Sequence, residues 1–185
     1  MLKPFLFRYG KRYKPISQHY HEIFGSKVYK VSISIAETCP NRKGLNSTSV
    51  CIFCDEWGSA AYHNQLDKPV REQIRTNKDA IRKRYRAEKF LIYFQSYTNT
   101  FGNFKELEKF YNIALEEKDV FGLIIGTRPD CLPKRIMKKF EEISEEKYLS
   151  IELGLQTLDE KQLIFLSRGH DKDCSIKAIN KIKNF

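Results

Sequence analysis

The stretch Val31-Ser32-Ile33-Ser34-Ile35-Ala36-Glu37-Thr38-Cys39-Pro40-Asn41-Arg42 decides how the rest of the chain is read. Its first five residues alternate branched apolar with small polar side chains, the period of a β-strand, and the run stops at a cysteine-proline step. Two more cysteines follow in Val50-Cys51-Ile52-Phe53-Cys54, so three thiols leave the end of one strand on a single loop. Cys39, Cys51 and Cys54 have no obvious fourth ligand beside them, and soft ligands in this number suggest a metal centre with an open position. An open position is where chemistry, rather than stapling, takes place.

Outward from this loop the chain repeats in architecture but not in sequence. Strands are expected at 27–35, 90–95, 120–125 and 148–153, each rich in β-branched and aromatic residues. Helical patterns fill 69–88, 104–117 and 133–144, and two more close the chain at 159–166 and 171–183. Strand followed by helix predicts βα units wound around a parallel sheet, with the cysteine loop lengthening the first connection. Loops after the strands of such a sheet gather on one face, where ligands bind. The polar segments 39–58, 95–100, 126–130 and 152–157 all fall there.

A chain of 185 residues with 41% apolar and 13% aromatic side chains can bury a real core, and its length points to one domain. The five cysteines are an odd number, and the N-terminus meets charge and proline before any long apolar run. A reducing, cytoplasmic setting without membrane association is therefore expected, where clustered thiols favour metal or redox work over disulfides. The net charge of +10 suits an anionic partner. The densest basic run, 71–89, nevertheless reads as one helix with Val70, Ile74, Ile81 and Tyr85 buried and Arg75, Lys78, Arg82, Lys83, Arg84 and Arg86 solvated.

Longer blocks carry a family resemblance. They are Tyr9-Gly10-Lys11-Arg12-Tyr13, Cys39-Pro40-Asn41-Arg42 with Cys51-x-x-Cys54, and Tyr93-Phe94-Gln95-Ser96-Tyr97-Thr98-Asn99-Thr100. Further along stand Gly126-Thr127-Arg128-Pro129-Asp130-Cys131-Leu132-Pro133, Glu152-Leu153-Gly154-Leu155-Gln156 and Arg168-Gly169-His170. In these the chain resembles the radical S-adenosylmethionine (SAM) superfamily, specifically the YhcC-type proteins related to the catalytic half of the Elongator Elp3 subunit. The resemblance implies an α/β fold, a partial (β/α) TIM-like barrel of the radical SAM type with about four βα units present of six. Residues 1–27 are then an N-terminal extension packing on the barrel, and 28–185 the radical SAM core, incomplete at its C-terminal end.

The resemblance also implies the chemistry. Cys39, Cys51 and Cys54 would each bind an iron of a [4Fe-4S] cluster, whose remaining iron holds the amino and carboxylate groups of SAM. Reductive cleavage of the sulfonium yields methionine and a 5′-deoxyadenosyl radical, which abstracts hydrogen from a substrate. Phe53 matches the aromatic position near the SAM adenine. Gln95 and Ser96 occupy the place of the superfamily's Gly-Gly-Glu motif. Gln156 and Arg168, twelve positions apart, resemble the glutamine and arginine that bind SAM in oxygen-independent coproporphyrinogen oxidases, and an arginine fork suits a carboxylate.

Other residues stay with plainer readings. Thr127, Arg128 and Asp130 could touch ribose or substrate, with a local Arg128–Asp130 ion pair as the better alternative; Cys131 and Cys174 read as ordinary thiols, and His63 and His170 rank low. The segment Ser47-Thr48-Ser49-Val50 stands where the family is glycine-rich. Implied partners are an electron donor of flavodoxin or ferredoxin type, a complementing C-terminal half, and a substrate for which relatedness to Elongator puts tRNA forward. Two other functions remain open from the residues: a zinc-stabilised basic RNA-binding module, and a catalytically inactive remnant.

Overall fold

A computed structural model of the chain describes residues 13–36, 38–46, 49–58 and 67–183. The expected motif at 9–12, the Ser47-Thr48 pair and His63 lie outside the described residues. Four strands, β1 (Tyr29–Ile33), β2 (Phe90–Phe94), β3 (Val120–Thr127) and β4 (Tyr148–Leu153), pair in parallel in the order β1-β2-β3-β4. Six helices, α1 (Ile16–Phe24), α2 (Val70–Tyr85), α3 (Phe104–Leu115), α4 (Lys134–Glu146), α5 (Glu160–Phe165) and α6 (Lys172–Lys183), complete the described chain. The βα alternation expected from the sequence is thus a partial parallel β/α barrel.

Residue pattern explains the order of the strands. β2 reads Phe-Leu-Ile-Tyr-Phe, apolar on both faces, as a central parallel strand must be. β1 alternates and β4 is half-buried at every residue, as suits the two flanks. One face of the sheet, carrying Val31, Ile33, Ile92, Phe94, Leu123 and Ile125, packs against Ile74 of α2, Tyr111 of α3 and Phe140 of α4. Burial of this face is the largest stabilising contribution, at roughly 25 cal/mol per Å² of apolar surface removed from water.

The opposite, concave face is built differently. Near the amino ends of the strands, Tyr20 of α1 inserts against Leu91 and Ile124, with Phe24, Phe121 and Tyr148 around it. Phe24 meets Phe121 and Tyr148 edge-on, with ring centroids 6.0 and 5.4 Å apart. Pairing jumps from Phe90↔Val120 to Leu91↔Gly122, so Phe121 is a bulged residue turned to meet this cluster. α1 was missed by the sequence reading, although Pro15 and Gly25 flank apolar residues at 16, 20, 23 and 24, a helical spacing.

Toward the carboxyl ends the concave face turns polar. Lys30 of β1 reaches Glu152 of β4 at 3.0 Å, and the Tyr93 hydroxyl of β2 donates to the same carboxylate at 2.5 Å. In a flat sheet β1 and β4 would stand about 14 Å apart. A direct contact over that span shows the sheet curled into an arc.

Two positions on α2 correct the sequence reading. Lys78, expected on the solvated side, is buried at 4% exposure and pairs with Glu117 at 2.7 Å and Asp119 at 2.5 Å. It continues the i, i+4 row of Val70 and Ile74, so helical spacing, not charge, decided its face. Tyr85, expected in the buried stripe, is 49% exposed and stacks on Tyr29. Among the described residues no helix is long and apolar enough to cross a membrane.

Gly122 marks the tightest approach of β3 to its neighbour, because a Cβ there would lie 2.0 Å from the Tyr148 carbonyl oxygen. Gly122→Ala is expected to destabilise the chain by about 2 kcal/mol, the cost of overpacking against backbone, read as a lower urea midpoint. An unchanged midpoint would show that this strand pair yields.

Candidate metal centre

Backbone and α2 together shape the cysteine loop. Just past β1, Gln73 of α2 is buried and clamps the exit: its Oε1 accepts from the Ser34 N–H at 2.9 Å, and its Nε2 donates to Ser34 O at 3.0 Å. The chain then winds into a turn in which the Lys43 N–H donates to Cys39 O at 3.1 Å. A second tight turn joins the other two cysteines, Cys54 N–H to Cys51 O at 2.9 Å. Ile52 N–H donates to Leu166 O at 3.3 Å, tying the loop to the end of α5. Cys39 and Cys51 are buried and Cys54 half-buried.

Nitrogen donors surround two of these sulfurs. Cys51 Sγ accepts from Asn41 Nδ2 at 3.3 Å and Arg168 Nη1 at 3.4 Å, with Arg128 Nη1 at 3.9 Å. Cys54 Sγ accepts from Arg42 Nη2 at 3.4 Å. Arg128 also pairs with Asp130 at 2.8 Å through Nε, the local ion pair expected, and donates to Arg168 O at 2.6 Å. Burial pushes the Asp130 carboxyl up, but the hydrogen bond and charge of Arg128 outweigh it and hold it below its ordinary value. In the sequence Asn41 and Arg42 belong only to the motif around Cys39, and their reach to sulfur has no sequence signal of its own.

The other strand ends supply the walls. Asn99 Nδ2 buckles the loops after β2 and β3 by donating to Phe94 O, Ser96 O and Gly126 O at 3.0, 3.1 and 2.9 Å. Ser96 is buried with φ +79, and its Oγ has no partner among the described residues. Gln156, at φ +71, is exposed, and its amide lies beside Gly154 together with the Arg168 guanidinium. Of the non-glycine residues described with positive φ, Ser96, Tyr97, Gln156 and Ser167 all stand on this face, where local strain marks functional loops.

Arg168 is buried, lies over the exposed Phe53 ring at 5.5 Å, and leaves its Nε without a partner among the described residues. The structure thus brings Cys51, Phe53 and Arg168 together, with Gln156 alongside. Gln95 is half-buried at the neighbouring strand end and meets the cysteines through no described hydrogen bond. His170 is half-buried, and burial lowers its pKa below the ordinary histidine value.

These residues fit an iron-sulfur cluster and SAM. Thiols backed by guanidinium and amide N–H groups suit an anionic centre, and the unpartnered Ser96 Oγ and Arg168 Nε are polar atoms available to a ligand. Among the described residues no three His, Cys, Asp or Glu side chains converge on one ion. A cluster distributes its cysteines over separate irons.

Burial pushes the Cys131 thiol up to about 12, with Asp130 adding to the rise. Cys131 is therefore expected to resist iodoacetamide at pH 8 in native apoprotein, while half-buried Cys54 is labelled, as peptide mass spectrometry would resolve. Equal labelling of the two would contradict this arrangement.

Comparison with known proteins places the chain in a family. Residues 33–185 match the family model of the Radical SAM superfamily. The uncharacterized protein YtqA of Bacillus subtilis is 35% identical over 173 residues, covering 94% of this chain and 54% of its own. Protein YhcC of Escherichia coli is 36% identical over 82% of this chain and 48% of its own. Uncharacterized protein MJ0486 of Methanocaldococcus jannaschii is 37% identical over 84% and 48%. The chain spans about half the length of these curated relatives. By the family-model match over residues 33–185 and the identity to its relatives, the chain belongs to the radical SAM superfamily, among relatives of the YhcC type.

Proposed function

We propose that this chain binds a [4Fe-4S] cluster through Cys39, Cys51 and Cys54 and, beside it, SAM for reductive cleavage. The observation that carries the reading is the convergence of Asn41, Arg128 and Arg168 on Cys51 Sγ, at the end of the sheet where β/α folds bind ligands. Held by Cys39, Cys51 and Cys54, such a cluster would supply the electron for one-electron reductive cleavage of the SAM sulfonium. The protein's own residues hold and orient. Arg168, whose Nε has no partner among the described residues, and the Gln156 amide near its guanidinium would suit the SAM carboxylate; Ser96 and Gln95 would hold the methionyl end, and the Phe53 ring would offer an apolar face to adenine. Burial of Cys39 and Cys51 keeps water from the sulfurs.

Three further parts of the reading are proposals about partners. An electron carrier of flavodoxin or ferredoxin type would reduce the cluster. A polypeptide corresponding to the remaining half of the relatives would pair with β4, which is half-buried at every residue. Transfer RNA as substrate has its support in the net charge of +10, though not in the basic run of α2, where Arg71, Lys78 and Arg82 are engaged in ion pairs.

Anaerobic reconstitution is expected to give brown protein with about four iron and four sulfide per chain, and Cys→Ala at 39, 51 or 54 to abolish the colour. With dithionite and SAM, 5′-deoxyadenosine should form. Stoichiometric zinc without visible absorption would overturn the reading. The C-terminal half of YtqA, produced separately, is expected to co-purify with the tagged chain, and failure to do so would remove the complementation proposal.

A further inference from the structure

Asn41 is almost wholly buried, and its amide nitrogen donates to both Cys51 Sγ at 3.3 Å and Ser167 O at 2.7 Å. The Ser167 carbonyl can only accept, so the amide has one orientation: turned over, Oδ1 would face a carbonyl oxygen. As placed, Oδ1 is buried with no partner among the described residues. Leaving such an atom unpaired costs about 1–3 kcal/mol, which an apolar side chain of the same size would avoid. Gly169 keeps the space open, for at φ +70 a Cβ there would lie 2.7 Å from Asn41 Oδ1.

The N–H donors are unevenly shared. Cys51 receives Asn41, Arg168 and the longer contact from Arg128, while Cys54 receives Arg42. No described hydrogen bond reaches the sulfur of Cys39. Arg128 is also engaged by Asp130, and Arg168 by Gly154 O. Among the described residues the Asn41 side chain donates only to Cys51 and the loop carbonyl that holds it.

We propose that Asn41 is a positioning residue that raises the reduction potential of the cluster by donating to the Cys51 sulfur. The inference rests on the cluster assignment above. An added electron spreads onto the cluster sulfurs, so an N–H aimed at one stabilises the reduced form more than the oxidised form. Burial keeps water from screening that contact.

The test uses the full chain, reconstituted anaerobically without SAM, with Asn41→Leu as the near-isosteric variant and Asn41→Ala as the smaller one. Potentials are read by EPR-monitored redox titration at matched iron content. At a fixed solution potential the ratio of reduced to oxidised cluster is expected to fall about tenfold, equivalent to about 59 mV for one electron. An unchanged potential in loaded variants overturns the inference. So does loss of the cluster from both variants while the wild type keeps it, which would make Asn41 structural only. If the wild type itself takes up no cluster, the proposed function has failed, a result distinct from either.

Discussion

Parallel pairing of neighbouring strands in chain order is the constraint from which the rest follows. Each helix carries the chain back to the same end of the sheet, so every strand delivers its following loop to one face. Residues far apart in sequence are thereby made neighbours: Cys51 meets Arg128 across 77 positions and Arg168 across 117. The apolar rows that drive this pairing have no chemistry of their own. They fix the face on which chemistry collects.

Electrostatics at that face follows from burial. Arg128 and Arg168 are both held in the interior, where an uncompensated guanidinium is costly. Asp130 neutralises the first of them, and Arg42 adds a third cation beside Cys54. Cationic and amide N–H groups thus face the sulfurs of Cys51 and Cys54, while a nearby thiol has different neighbours. Cys131, on the same face, is buried, and burial first and the Asp130 carboxylate second keep it protonated.

Much of this was legible in the sequence because period and composition are local. Strand β2 announces a central position by being apolar throughout, and the loops after each strand follow from the alternation of elements. The Arg128–Asp130 pair could be read from spacing alone. Lys78 shows where such reading fails: its helical position put it on the inner stripe, and distant Glu117 and Asp119 made that burial tolerable. Nothing local to residue 78 discloses them. The same holds for Asn41, whose amide hydrogen bonds go to Cys51 and Ser167, the latter 126 positions away. Helix α1 is a different case, since its apolar spacing was present and its target, the concave face, exists only once the sheet has curled.

The contact between Lys30 and Glu152 bears on how an arc of strands becomes a closed wall. As a half-exposed ion pair it contributes at most about 1 kcal/mol, so it does not bend the sheet; it records a bend already made by packing. Curvature is therefore already present in this four-stranded sheet with the helices packed on it. Any strand that adds beside β4 meets a template whose radius is set, and the free energy of joining goes into edge pairing rather than into reshaping what is there.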